Sequence, residues 1–101
     1  MKMTSKSTYR NTYLGLPESL AEQYTELNFD NHCYLRIALD NALGAKWNTK
    51  IARPAYRNLT IAKRHEVLSL LRRYETDRPL LLQHNEISLS YRKQASTPKL
   101  F

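Results

Sequence analysis

Three side chains that could do chemistry together stand one helical turn apart near the middle of the chain. His32, Arg36 and Asp40 recur at steps of four residues, which places them on one edge of a helix. An imidazole, a guanidinium and a carboxylate in such a row can form a small polar site, with an ion pair between Arg36 and Asp40. The alternative is a solvated helix edge, or a structural ion pair that orients Trp47 and the loop around it.

The only cysteine, Cys33, adjoins this row and follows the start of the same predicted helix. A thiol near a helix N-terminus can serve as a nucleophile. The spacing of the sequence identifies no base to activate it, and a small buried apolar side chain is the simpler interpretation. We therefore predict no catalytic residue and favour a protein that is not an enzyme. A small acetyltransferase-like enzyme centred on His32, Cys33, Arg36 and Asp40 is one alternative.

The largest group of candidate binding residues is basic. The 101 residues contain 16 Lys and Arg against 9 Asp and Glu, a formal charge of +7, and the excess arises from residue 46 onward. Guanidinium groups bind phosphate through paired hydrogen bonds and tyrosines stack on unpaired bases, so nucleic acid, DNA or RNA, is the predicted partner. The predicted nucleic-acid-binding residues, interleaved with Tyr56 and Tyr74, are Arg53, Arg57, Lys63, Arg64, Arg72 and Arg73.

A protein–protein interaction module or a homodimer is the other alternative to nucleic-acid binding. Glu18, Glu22 and Glu26 recur at steps of four residues on the first predicted helix. They could pair with the basic third helix of another copy or of a different protein. The basic residues could also be ordinary solubilising charges.

The sequence excludes several classes of protein. Gly15 and Gly44 are the only glycines, whereas nucleotide-binding loops and a serine nucleophile elbow need clustered or flanking glycines. The three histidines lack metal-ligand spacing, so we expect no metal and no cofactor. There is no signal peptide and no segment near the roughly 18 apolar residues of a bilayer span, so we expect a cytoplasmic protein without membrane association.

Hydrophobic periodicity predicts an all-α fold, a compact bundle of three to five helices with flexible termini. We expect a flexible N-terminal tail over 1–12, a single helical domain over 13–92 and a flexible C-terminal tail over 93–101. The first helix is predicted to start at Pro17. The second, over 33–43, is the central helix, begins after Asp30 or Asn31 and ends at Gly44.

The second half of the chain contains further start signals for helices. Trp47 lies in a loop as a core anchor, and Pro54 starts a short helical turn. Asn58 or Thr60 caps a long third helix, and Asp77 caps the next one. Residues 80–92 fit both a helical face and an alternating strand, and we favour a helix because an isolated strand would have no partner.

Two segments carry a resemblance to known proteins. Residues 29–42 have the pattern F-D-x-H-C-Y-x-R-I-A-x-D, and Trp47, Arg53-Pro54, Asn85, Ser88-Leu89 and Tyr91-Arg92 follow. Over 29–92 the chain resembles a group of small, mostly uncharacterised bacterial proteins, some labelled acetyltransferases. The resemblance implies that one unit contains His32, Cys33, Arg36, Asp40 and Trp47. It supplies no reaction, because the Gly-containing pyrophosphate loop of the common acetyltransferase fold is missing.

From its basic residues, the sequence predicts a basic, nucleic-acid-associated accessory or regulatory factor.

Overall fold

The computed structural model describes residues 5–96, with side chains from Tyr9 to Lys93, and these residues form helices and turns without a strand. Two 3-10 turns, Thr25–Leu27 and Trp47–Thr49, flank the second helix. The predicted all-α class is confirmed, and residues 80–92 are helical. The α-helices are α1 (Ser5–Gln23), α2 (Asn31–Leu43), α3 (Ala55–Asn58), α4 (Ile61–Tyr74) and α5 (Arg78–Ser96).

Helix α2 is central because apolar side chains cover most of its circumference. Tyr34 and Ile37 are fully buried, and α1, α4 and α5 all pack against this helix. The carboxylate of Asp30 caps its start by accepting a hydrogen bond from the Cys33 amide at 3.0 Å. Gly44 ends it with a φ of 70°, in the left-handed region that favours glycine.

Helix α1 is longer than the sequence predicts. It begins at Ser5, so the expected start at Pro17 is wrong, and residues 5–12, which we expected in a tail, are helical. Residues 1–4 lie outside the described part of the chain. Tyr9, Tyr13 and Pro17 recur at steps of four residues and form one apolar stripe. Burial of Tyr13 and Pro17 outweighs the one backbone hydrogen bond that Pro17, lacking an N–H, cannot make.

Helices α4 and α5 begin at side-chain caps that the sequence predicts. Thr60 accepts a hydrogen bond from the Lys63 amide at 3.1 Å, and Asp77 accepts one from the Leu80 amide at 3.0 Å. Helix α5 continues to Ser96 and so includes the first four residues of the predicted C-terminal tail. Residues 97–101 of that tail lie outside the described residues.

The core lies where α1, α2, α4 and α5 meet. Leu20, Val67, Leu71 and Leu81 are fully buried there, one or more from each helix around α2. The Arg53–Pro54 peptide bond, in the segment that crosses from α2 to α3, is cis. No helix within residues 5–96 combines the length and the apolarity that crossing a bilayer requires.

Candidate functional site

A buried carboxylate joins α2, α5 and the segment that follows α2. Asp40 is fully buried. Its Oδ2 accepts hydrogen bonds from Ser88 Oγ at 2.6 Å and from Arg92 Nε at 2.8 Å. Its Oδ1 accepts from the Trp47 amide at 2.9 Å and from Arg92 Nη2 at 3.2 Å. A buried carboxylate is tolerated when its oxygens are bonded in this way, so Asp40 fixes Trp47 and α5 relative to α2.

Arg36 belongs to the same network. Its Nη1 donates to Ser88 Oγ at 2.8 Å and its Nη2 donates to Asn85 Oδ1 at 2.9 Å. Ser88 therefore accepts from Arg36 and donates to Asp40, while the ion pair of Asp40 is with Arg92. This differs from the Arg36–Asp40 pair that the spacing suggests, because the Arg36 side chain reaches across to α5. Two guanidinium groups share one carboxylate, so the network carries excess positive charge.

A groove of about 640 Å³ opens beside this network, and we call it the α2 groove. The guanidinium of Arg53 lies 5.5 Å from the ring centroid of Trp47 on its wall. Stacking of this kind fixes the plane of a guanidinium and leaves its N–H edge free to bind anions. The lining of the α2 groove includes Cys33, Arg36, Trp47, Arg53, Tyr56 and Arg92.

The start of α2 forms part of the groove wall. Asp30, His32 and Cys33 line it there. The hydrogen bonds from Cys33 to Asp30 hold the pKa of that carboxyl below its ordinary value, so Asp30 is ionised at neutral pH. The Cys33 thiol contributes to this shift of Asp30, and Cys33 is partly buried on the groove wall.

A second cluster of arginines borders Tyr56. Arg10 and Arg57 lie with their guanidinium carbons 5.8 and 5.9 Å from the Tyr56 ring centroid, and Arg64 lies 4.7 Å from that of Tyr9. These five residues line an open hollow of about 510 Å³, and we call them the arginine–tyrosine face. They come from α1, α3 and α4, so the face depends on the packing of three helices.

Aromatic contacts hold the arginine–tyrosine face together. The Tyr9 hydroxyl donates to the Tyr56 carbonyl oxygen at 2.9 Å. Burial raises the pKa of Tyr9, although the charge of Arg64 opposes this effect, so the hydroxyl keeps its proton. Tyr13 packs between them, with ring centroids 5.8 Å from both Tyr9 and Tyr56. These contacts pack the N-terminal part of α1 against α3.

The positive charge of the face is not neutralised within residues 5–96. The four ion pairs of this region involve other side chains, and no carboxylate lies within 4.0 Å of Arg10, Arg57 or Arg64. The Nε of Arg64 is also buried without a hydrogen-bond partner in the described structure. Three guanidinium groups without carboxylates are suited to binding a polyanion.

The six basic residues predicted to bind nucleic acid do not share one surface. Arg57 and Arg64 lie on the arginine–tyrosine face, and Arg53 lies in the α2 groove. Neither lining includes the other three. Lys63 donates to the Ala42 carbonyl oxygen at 2.8 Å and pairs with Glu66 at 2.9 Å, so its ammonium holds α4 to the end of α2.

Arg72 and Arg73 lie about two turns beyond Arg64 on α4. Arg73 is 4.0 Å from Asp77 at the start of α5, and both arginines are exposed. The rise of the helix places them about 12 Å or more along α4 from Arg64, and neither lines the arginine–tyrosine face. They provide matched controls for the face.

The predicted polar row is divided between the groove and the core. His32 and Arg36 line the α2 groove, whereas Asp40 lies beneath it and is not exposed.

The predicted acidic series Glu18, Glu22 and Glu26 does not lie on one helix. Glu26 falls outside α1, in a 3-10 turn, and its Oε2 accepts from Arg78 Nε at 3.3 Å. Glu18 and Glu22 are exposed and make no ion pair with a described residue.

The sequence did not assign five of these residues to a site, although Asn85, Ser88 and Arg92 are part of the resemblance. Tyr9 and Arg10 fall in the segment expected to be a tail. Asn85, Ser88 and Arg92 stand at steps of three and four residues on α5, opposite the four-residue step from Arg36 to Asp40. Two facing polar rows on otherwise apolar helices were the signal that could have identified this network. The network also joins the two segments on which the resemblance rests.

In comparisons with protein-family models, curated proteins and solved structures, nothing matches this chain. Its site is therefore interpreted from its own geometry.

Proposed function

We propose that the protein binds single-stranded nucleic acid through the arginine–tyrosine face and acts as an accessory or regulatory factor. The observation that carries the proposal is the stacking of Arg10 and Arg57 on Tyr56 and of Arg64 on Tyr9, with no carboxylate nearby. A guanidinium over an aromatic ring is attracted to the ring and keeps N–H groups for phosphate oxygens, so the two tyrosines gather these charges on one surface.

Flat groups favour a single strand over a duplex. Guanidinium planes such as those over Tyr56 and Tyr9 stack on the faces of unpaired bases, and a duplex hides those faces. The five side chains of the face include no Asn, Gln, Asp or Glu, the residues that read the edges of adenine and cytosine, whereas arginine binds phosphate as well as the edge of guanine. We therefore expect binding that depends strongly on salt and weakly on sequence.

The proposal is tested with a labelled, hydroxyl-ended strand of about 6 nucleotides, as DNA and as RNA, by fluorescence anisotropy at about 0.15 M salt, where the Debye length is about 8 Å. The double substitution Arg10→Ala/Arg57→Ala removes both guanidiniums from Tyr56, and both side chains are exposed, so folding is retained. We expect the dissociation constant to rise by about tenfold or more.

The control is Arg72→Ala/Arg73→Ala, which removes the same charge from exposed positions on the far part of α4. We expect its dissociation constant to stay within about threefold of the unsubstituted value, since screening weakens distant charges. Equal losses in the two variants would mean that net charge alone drives binding. Absence of binding to both DNA and RNA would refute the proposal.

A further inference from the structure

We propose that the α2 groove is a separate site for the phosphomonoester group of a nucleotide. Arg36, Arg53 and Arg92 hold the phosphate, and the base lies against the aromatic wall that includes Trp47 and Tyr56. The ligand is either a free nucleotide or the phosphorylated end of a strand. Binding of a free nucleotide does not depend on the proposed function. Binding of a strand end does depend on it, because the face must then bind the rest of the strand.

The groove carries an excess of positive charge that a bound anion would neutralise. Arg36 and Arg92 are bonded to one network whose only carboxylate is Asp40, and Arg53 has no carboxylate within 4.0 Å in the described structure. Asp30 is the one carboxylate among the described residues that line the groove, and it is bonded to the Cys33 amide. Three guanidiniums against two carboxylates leave positive charge. A phosphomonoester carries about −1.5 to −2 at pH 7, more than a carboxylate ligand.

Two of the three guanidiniums are held rigidly. Ser88 and Asn85 accept from Arg36, and Asp40 accepts from Arg92. Within residues 5–96 these bonds use two of the five N–H groups of each guanidinium. Arg36 and Arg92 both line the groove, so N–H groups remain for phosphate oxygens on a scaffold that does not have to reorganise.

The size and lining of the groove fit a ligand with a flat apolar part. Its volume of about 640 Å³ falls within the roughly 300–1,000 Å³ typical of small-molecule sites. Leu35, Leu39 and Pro54 add to its apolar wall. Tyr56 borders both the groove and the arginine–tyrosine face, so a strand on the face can end in the groove.

The first test uses adenosine 5′-monophosphate and the full-length protein. Trp47 is the only tryptophan, so its fluorescence reports on the groove. Cys33 is the only cysteine and lines the same groove, so a bound nucleotide slows its alkylation by iodoacetamide. We expect saturable changes in both signals with the nucleotide, and with adenosine a dissociation constant raised by about tenfold or more. Equal affinities for the two compounds, or no change in either signal, would overturn the proposal.

The variant for this test is Arg53→Ala, because the exposed Arg53 is not part of the Asp40 network. We expect it to weaken nucleotide binding by about tenfold. Lys50→Ala is the matched control, since Lys50 is exposed, carries the same charge and does not line the groove. Alkylation of Cys33 provides the readout for both variants, since it does not depend on the Arg53–Trp47 stack. Equal weakening by the two substitutions would contradict the assignment.

The second test compares strands with a phosphate at the 5′ end, a phosphate at the 3′ end or hydroxyls at both ends. A hydroxyl-ended strand two nucleotides longer controls for added charge, because a terminal phosphate adds about −1.5 to −2 and each internal phosphodiester adds about −1. Tighter binding of a phosphorylated end, lost in Arg53→Ala, identifies the strand end as the ligand. If all four strands bind alike and the free nucleotide does not bind, the groove assignment fails while the proposed function stands. If no strand binds and the nucleotide does, the proposed function fails and the groove assignment stands.

Discussion

Asp40 accepts hydrogen bonds from residues that lie far apart in the sequence. Trp47 approaches it from the segment after α2, and Ser88 and Arg92 approach it from α5. Its burial is offset by four bonds, two of them from the guanidinium of Arg92. Loss of its charge would leave Arg36 and Arg92, two like charges, without the carboxylate between them.

Asp40→Asn is therefore expected to lower the free energy of unfolding by about 3–5 kcal/mol, the cost of breaking a buried ion pair. Glu66→Gln is the control, because it breaks the exposed pair with Lys63 and should cost less than about 1 kcal/mol. Urea denaturation measures both. A loss below about 1 kcal/mol in Asp40→Asn would show that the network does not hold α5 to α2.

The imidazole of His84 predicts a pH dependence of stability. Its Nδ1 lies 2.7 Å from the Tyr74 hydroxyl. Burial, and then the charge of Arg73, lower the pKa of His84 below its ordinary 6.5, although Asp77 opposes them. The unfolded chain takes up this proton at a higher pH than the folded protein does, so stability is complete above pH 6.5 and falls as the pH drops below it.

We expect the urea midpoint to be lower at about pH 5.5 than at about pH 7.5, and the difference to shrink in His84→Gln. His32 and His65 are present in both proteins, so the change between them isolates His84. The same pH dependence with and without His84 would assign it to another group.

Aromatic side chains near the start of helix α1 determine which face of that helix packs against the rest of the protein. Tyr13 is 4% exposed and packs between Tyr9 and Tyr56, whereas its neighbour Leu14 is 45% exposed. The burial of Tyr13 is what attaches this part of α1 to α3. The same contact places Arg10 beside Tyr56, so the arginine–tyrosine face depends on it.

Tyr13→Ala is expected to cost about 3–5 kcal/mol of unfolding free energy, as for other buried aromatic residues. Leu14→Ala should cost less than about 1 kcal/mol, because a half-exposed side chain loses little burial. Thermal or urea unfolding of the two variants measures the difference. Similar losses at the two positions would mean that the start of α1 is not docked as the structure describes.

The sequence predicts those helices whose ends are marked by local signals. Asp30, Gly44, Thr60 and Asp77 cap or end helices where their side-chain chemistry indicates, because these contacts involve residues only a few positions apart. Pro17 led to the wrong start for α1, because the local sequence does not distinguish a proline at the start of a helix from one tolerated inside it. Only the packing of Tyr13 and Pro17 on the rest of the fold distinguishes the two.

The candidate site is less predictable because it depends on distant contacts. The row His32, Arg36 and Asp40 marks the correct edge of α2, but the burial of Asp40 follows from Arg92, 52 residues away. The predicted basic residues are close in sequence, but their side chains make different contacts at different positions before α3, on α3 and along α4, so they do not share one surface. Arg10 could not be assigned without knowing that α1 begins at Ser5.

The formal charge of +7 is spread unevenly over the molecule. Lys63, Arg73, Arg78 and Arg92 have carboxylate partners within residues 5–96. The three arginines of the arginine–tyrosine face and Arg53 have none there, and Tyr56 lines both of the hollows that they border. Four guanidinium groups without carboxylate partners thus border these two hollows, which is the basis of both proposed sites.

The salt dependence of binding to a hydroxyl-ended single strand tests this account most directly. Contacts from Arg10, Arg57 and Arg64 predict a slope of about −2 for the logarithm of the binding constant against the logarithm of salt concentration. Arg10→Ala/Arg57→Ala should bring that slope to about −0.7, and Arg72→Ala/Arg73→Ala should leave it unchanged. An unchanged slope in Arg10→Ala/Arg57→Ala, or a reduced slope in Arg72→Ala/Arg73→Ala, would contradict the assignment of binding to the arginine–tyrosine face.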